Sequence, residues 1–191
     1  MILQSTMPQP IPLRFKVDDY YKMIELGMLE DYERAEIIEG ELIRKVPIGE
    51  KHSAIVEKLA ETLREKLGKS VSLRNQQPIK FSDYNEPQPD LAILHRRDDF
   101  YFYEKPVPND VLLLIEVSDA TLKYDRDTKL TLYAEAEIPE VWIVNLQHDI
   151  IEVHQKPNSG IYQLAKIFKR GETVISEVLP HLNLEVNEIL I

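Results

Sequence analysis

The chain's 191 residues and 22.3 kDa suit one domain of ordinary size, and 43% hydrophobic with 29% charged residues is the composition of folded soluble proteins. Twenty-three Lys and Arg against 33 Asp and Glu leave a net charge of -10, so holding nucleic acid through the overall field is disfavoured and any such binding must be local. The absence of cysteine excludes thiol nucleophiles, thiolate metal sites and disulfides, and fits a reducing cytoplasm. The longest apolar run, Val111 to Ile115, is far short of the roughly 20 residues of a membrane span. A soluble, cytoplasmic protein without membrane partners is expected.

Residues 1–17 read as an extended arm with little core, because Pro8, Pro10 and Pro12 fix φ and donate no backbone hydrogen bond. One domain is expected over 18–191. A short helix is predicted from Asp18 as N-cap, with Tyr20, Met23, Ile24 and Met28 at helical spacing and Gly27 near its end. Residues 35–46, AEIIEGELIRKV, read as a hairpin turning at Glu39-Gly40. Ile55, Val56, Leu59, Leu63 and Leu67 mark a helix over 52–67 that Gly68 terminates.

Strands follow at 71–80, 89–94 and 111–118, then a helical stretch at 125–137 stopping before Pro139, then a strand at 141–146. The core order is helix, three strands, helix, strand. Three terminal segments, 150–154, 161–168 and 173–179, separated by PNSG and RG turn signals, read as a β meander.

The strand VLLLIEVS, 111–118, is apolar on both faces except at its end, as expected of a central strand covered on both sides. Alternation puts Leu112, Leu114, Glu116 and Ser118 on one face, so a carboxylate emerges where a buried strand ends. Unpaired burial would be costly, so Glu116 must be paired, protonated or bound to a cation; a plain salt bridge accounts for it equally well. Asp90 opens another strand 26 residues earlier, and two neighbouring strands would bring the carboxylates together, although Pro-Asp is also an ordinary turn. Magnesium prefers such oxygen ligands and needs only one or two carboxylates besides water and phosphate.

Lys129 shares a helical stripe with Tyr133 on the side that should face the sheet, where its ammonium would orient a water or stabilise phosphate charge. Snorkelling or pairing with Asp125 is the commoner fate of such a lysine. His52 lies on the buried face of the 52–67 helix, as a packed core residue or as a group at the edge of the site. Glu36 and Glu39 alternate to opposite faces of the hairpin, so at most one points inward, with exposure the default for both. No Walker loop, GxGxxG, HExxH, GxSxG or zinc-like cluster occurs, and no organic cofactor is expected. His95-Arg96-Arg97 and Lys169-Arg170 read as solvated loop charges.

The ordered set EIIEGE, His52, PD at 89–90, IEVSD at 115–119 and YDRDTKLTLYAEAEIPEVWIVN at 124–145 resembles the Uma-two family of restriction-type endonucleases. That family is a branch of the PD-(D/E)XK nuclease superfamily, and the similarity spans roughly 18–190. It implies an α+β, restriction-endonuclease-like core: a mixed central sheet flanked by helices, preceded by a helix and hairpin and followed by the meander. It also implies a phosphodiesterase site in which Asp90 and Glu116 bind Mg²⁺, or Mn²⁺ in its place. The superfamily's usual lysine would fall at Ser118; Lys129 resembles a migrated substitute, and Glu36, His52 and Ser118 match site-lining positions.

DNA is the substrate so implied, hydrolysed by a metal-activated water. Homodimerisation through the β-rich terminal segment is expected by analogy. The rival is a catalytically inactive module that keeps the nuclease fold for binding or structure, its carboxylates engaged in internal hydrogen bonds. A weaker alternative is hydrolysis of a small phosphodiester in a closed, acidic pocket.

Overall fold

The computed structural model describes residues 11–29, 35–45 and 49–191; the first ten residues of the expected arm, the 30–34 segment and the hairpin's end at 46–48 lie outside them. Helix α1 (Val17–Glu25) begins one residue before the expected start, and Asp19 rather than Asp18 accepts from the backbone there, taking the Lys16 N–H at 3.0 Å. Its buried face is Val17 and Tyr20, packed on Ala35 and Ile37, whereas Ile24 and Met28 are exposed. The hairpin occupies one side of this short helix, and the expected apolar positions beyond Tyr20 lie past its reach.

Strands β1 (Ala35–Ile38) and β2 (Glu41–Arg44) form the expected hairpin, with left-handed Glu39 and Gly40 at the turn. Gly40 is required there twice over. Its φ is +73°, and a Cβ would meet the Arg14 Cβ at 2.8 Å, because Phe15 donates its N–H to the Gly40 carbonyl at 2.9 Å. The end of the arm is therefore docked on the hairpin, with Phe15 half-buried, rather than free of the core.

Helix α2 (Glu50–Leu67) buries Ile55, Val56, Leu59 and Leu63 and ends where Gly68, at φ +55°, donates back to the Arg64 carbonyl. Strand β3 (Val71–Asn75) is shorter than expected, because left-handed Gln76 turns the chain and donates its N–H to the Asp90 carbonyl. Strand β4 (Leu91–His95) starts just after Asp90, and β5 (Val111–Ser118) pairs with it antiparallel in the register Leu91 to Ile115. Asp90 and Glu116 therefore enter the same end of adjacent strands.

The next helix starts earlier than expected and is broken into α3 (Leu122–Tyr124), a π turn (Asp125–Lys129) and α4 (Leu130–Glu135). It carries the chain to β6 (Glu140–Asn145), which lies parallel to β5. Strands β7 (Ile150–Asn158) and β8 (Ile161–Lys169) add antiparallel, completing a mixed six-stranded sheet in the order β3-β4-β5-β6-β7-β8. The terminal segments thus extend the central sheet through β8, whereas the third leaves it. Strand β9 (Thr173–Ile175) pairs instead with β10 (Asn183–Glu185), followed by α5 (Val186–Ile189).

The physical reason is the core on the α2 side of the sheet. Val174, Leu182, Leu184, Val186 and Ile189 pack with Leu59, Leu63, Ile115 and Trp142 there. The buried Glu140 carboxylate reinforces this return, accepting from Trp142 Nε1 at 2.6 Å, Gln155 Nε2 at 3.0 Å and the Glu177 N–H at 2.8 Å. On the opposite face, Ala92, Leu94, Leu114, Val141 and Tyr133 form a second core under α4. None of the described helices is long and apolar enough to cross a membrane.

Candidate active site

The strand ends, the hairpin and the first turn of α2 enclose a cleft of about 540 Å³ lined by Glu36, Lys45, His52, Asp90, Glu116, Tyr124, Asp125 and Lys129, among others. Alternation along β5 puts Leu113, Ile115 and Val117 into the α2-side core and leaves Glu116 on the face beneath α4. The Asp90 N–H lies 3.4 Å from Glu116 Oε2, and the Val117 N–H donates to Asp90 Oδ2 at 2.9 Å.

Lys129 approaches from the π turn and is almost wholly buried. Its Nζ donates to Glu116 Oε1 at 3.1 Å and lies 3.4 Å from Glu36 Oε2. The Tyr133 hydroxyl, one turn further along, donates to the same Glu116 oxygen at 2.5 Å. Glu36 is the inward glutamate of the hairpin and is buried against the default expectation, also accepting the Gln88 N–H at 3.0 Å; Glu39 is exposed at the turn. Its burial is compensated by the Lys129 ammonium, the condition under which a buried carboxylate is tolerated.

His52 Nε2 lies 3.0 Å from Asp90 Oδ2, and Gln76 Nε2 donates to Asp90 Oδ1 at 3.1 Å. Ser118 sits one layer back. It is fully buried and donates to Asp125 Oδ2 at 2.7 Å, so it supports a cleft-lining side chain from beneath.

The charges sharpen one another. Burial pushes the Glu116 carboxyl up to about 7, with Lys129 opposing and Asp125 and Asp90 adding to the rise. Burial also acts on Asp90, but the His52 hydrogen bond and charge, the Val117 N–H and Lys129 outweigh it, and its pKa falls. Burial would lower His52, yet the Asp90 hydrogen bond and the surrounding carboxylates raise it. Burial likewise opposes the Lys129 ammonium, and Glu116, Glu36, Asp125 and Asp90 together hold it well above the ordinary lysine value. Asp125 is pushed up by burial, against Lys129 and its Ser118 and Thr121 hydrogen bonds.

Four further cleft or supporting residues have no counterpart among the sequence-derived candidates. Asp125 is turned inward by the π turn that also turns in Lys129 four residues later, an arrangement frequent at functional sites. Tyr133 was visible in the sequence as the stripe-mate of Lys129, but its hydroxyl contact depends on sheet and helix meeting. Gln76 belongs to a loop whose position only β3 and β4 define. Lys45 lines the cleft from the hairpin and donates to the Gln88 carbonyl at 2.8 Å. Its ammonium is destabilised by burial and by Lys129, with Glu36, Glu116 and Asp90 opposing.

Comparison with known proteins bears on the fold and the family. A crystal structure of a protein from Anabaena variabilis, described as a putative nuclease belonging to DUF820, superposes with a TM-score of 0.67 at 16% identity, covering 95% of this chain and 98% of that one. The two share the fold. None of the curated proteins matches the chain by sequence. The profile of the Uma2 family, described as "Putative restriction endonuclease", matches residues 17–187, from the first residue of α1 into α5, and the chain belongs to that family.

Proposed function

We propose that the chain is a metal-dependent endonuclease that hydrolyses DNA phosphodiester bonds, with Asp90, Glu116 and Lys129 as its catalytic groups. The observation that carries the reading is the convergence in one cleft of two strand-end carboxylates and a buried ammonium contributed by three separate elements. Mg²⁺, with Mn²⁺ as a substitute, fits the donor set. Among the described residues Asp90 Oδ1 carries one hydrogen bond and Glu116 Oε2 only the long 3.4 Å contact, so both oxygens keep lone pairs. Among the described residues no group of three His, Asp or Glu is placed to hold an ion. A hard cation can be held by one or two carboxylates, with water and substrate phosphate completing its shell.

A bound Mg²⁺ would supply Lewis-acid stabilisation of the nonbridging oxygens and an activated water. The chain's own groups set the stage for it. Lys129 favours the ionised form of Glu116 against the cost of burial, donates one N–H to it and lies 3.4 Å from Glu36, and a further N–H would serve a nucleophilic water. His52 orients Asp90 and favours its ionised form. Lys45, whose one hydrogen-bond partner among the described residues is a backbone carbonyl, supplies the cation that meets the phosphate.

The test is cleavage of supercoiled plasmid and of single-stranded DNA with Mg²⁺, Mn²⁺ or EDTA, beside Asp90→Ala and Lys129→Ala. Loss of cleavage in EDTA and in both variants is expected. Unchanged cleavage by the purified variants would reject the assignment.

A second reading, a catalytically inactive nuclease-fold module, is favoured by one observation: Asp90 and Glu116 both accept internal hydrogen bonds. Absence of both cleavage and calorimetric metal binding would select it. For a homodimer, the open edge of β8, where Ile161 and Ile167 are exposed, is the surface that supports pairing. Light scattering that shows a monomer at micromolar concentration would reject it.

A further inference from the structure

A second groove, of about 260 Å³, lies at the end of the sheet away from the cleft, along the open edge of β3. Its walls include Leu67 of α2, Leu73 of β3 and the ring of Phe100, and its rim carries Arg64, Arg74 and Arg96. In a chain with 33 carboxylates and a net charge of -10, three guanidinium groups around one groove would be expected to find acidic partners. Among the described residues they have none. Arg64 reaches only the Asn75 side-chain oxygen at 3.4 Å, and Arg96 lies over the Phe100 ring at 4.1 Å.

The loop after β4 is built to present this surface. Arg97 forms a two-point pair with Asp99 at 2.9 and 2.6 Å, and the Tyr101 hydroxyl donates to the His95 carbonyl at 2.8 Å. These braces hold Phe100 and Tyr101 in consecutive left-handed conformations, φ +51° and +60°, which side chains of that bulk rarely adopt. What the braces leave outside is aromatic: Phe100, Phe102 and Tyr103 are 64%, 81% and 80% exposed. A cluster of exposed rings beside arginines that have no acidic partner among the described residues is an apolar surface that a ligand would cover.

We propose that this groove is a second binding site, for a single-stranded segment of nucleic acid, with Arg64, Arg74 and Arg96 on phosphates and Phe100 stacked on an unpaired base. Positive charge along a track with open aromatic faces is the combination that binds single strands irrespective of sequence, because every base has a face to stack. A duplex keeps its base faces covered, and an extended peptide pairing with the edge of β3 would leave the guanidinium groups unused. Helix α2 runs from His52 in the cleft to Leu67 in the groove, about 22 Å at the rise of an α-helix, a span of a few nucleotides. The groove would hold an unpaired flank of a substrate whose phosphodiester lies in the cleft. The choice of occupant rests on the nuclease reading above; the existence of the site does not require cleavage.

The test is fluorescence anisotropy of labelled dT12 and of a blunt 12-base-pair duplex with the full chain in EDTA, so that binding is read without chemistry. The double variant Arg96→Ala/Phe100→Ala should weaken dT12 binding by roughly tenfold or more and flatten its salt dependence. It should leave duplex binding within about twofold. Both positions are exposed, and an unchanged melting temperature confirms the fold. Failure of the wild type to bind dT12, or equal binding by the double variant, would overturn the site. So would concentration-dependent self-association that is lost in Phe102→Ser, since the patch would then belong to a second copy. Groove-dependent binding without cleavage in Mg²⁺ would keep this site and remove the nuclease reading. Cleavage with groove-independent binding would do the reverse.

Discussion

Lys129 and Glu116 form a buried ion pair, 3.1 Å from Nζ to Oε1, that joins the π turn to the end of the central strand. The same ammonium also neutralises Glu36 at 3.4 Å, so one cation serves two buried carboxylates. Breaking such a pair by removing one partner is far more damaging than replacing both. Lys129→Met should therefore lower stability by about 3–5 kcal/mol as well as abolish cleavage. Adding Glu36→Gln should restore part of the stability and none of the activity. Urea unfolding followed by the fluorescence of buried Trp142 checks both, and an undiminished midpoint in Lys129→Met would contradict the pairing.

Metal affinity should depend steeply on pH. Glu116 is held at about 7, above the ordinary glutamate value of about 4.3, because burial disfavours its charge. The native state thus binds more protons than the unfolded state between those values, and the stability contributed by this group falls as pH rises through that window. A cation must displace the proton. Calorimetry should accordingly show Mg²⁺ binding roughly tenfold weaker at pH 6 than at pH 8, with proton release at the lower pH. Equal affinity at both values would exclude Glu116 as a ligand.

The strand VLLLIEVS was readable because a continuous apolar run marks a strand covered on both faces, and a carboxylate at its end needs a partner. Lys129 was readable because it shares a stripe with Tyr133. The remaining features depended on contacts far apart in the chain. Nothing local in EIIEGE distinguishes Glu36 from Glu39; the docking of the hairpin on the cleft does. The end of β3 at Asn75 is decided by left-handed Gln76 and its bond to Asp90, which propensity along 71–80 does not encode. Asp125 stood out in the sequence only as an ordinary ion-pair partner for Lys129, and the wider π turn is what places both on the inner side. Strand β9 left the sheet because Val174 was needed in the α2-side core.

Lys45 provides a prediction that separates substrate binding from folding. Among the described residues it makes no ion pair, and its ammonium sits in the cleft with one backbone partner. Lys45→Ala should raise KM for DNA or lower kcat/KM by about 10- to 100-fold, a loss typical of a charge contact to a phosphate. The melting temperature should shift by no more than a few degrees. Retention of full kcat/KM would show that the substrate phosphate does not meet this side of the cleft.

Away from the cleft, Glu152 contributes stability that acid removes. Burial would raise its carboxyl, but hydrogen bonds from Arg126 and Asn145, with His154 Nε2 at 3.8 Å, outweigh burial and hold it at about 2. Arg126 grips both oxygens, at 3.0 and 2.5 Å, and ties the π turn to β7. Because the folded value lies below the unfolded one of about 4.3, the pair contributes stability above that pH and loses it as pH falls toward 2. Arg126 is partly exposed, and solvent screening limits the contribution to about 1–2 kcal/mol. Glu152→Gln should therefore cost that much at pH 7 and about a quarter as much at pH 2.5, where the folded carboxyl is still largely ionised. Urea midpoints for wild type and variant across pH 2.5–7 should draw together toward the acid end; parallel curves would show that Glu152 is not held ionised by Arg126.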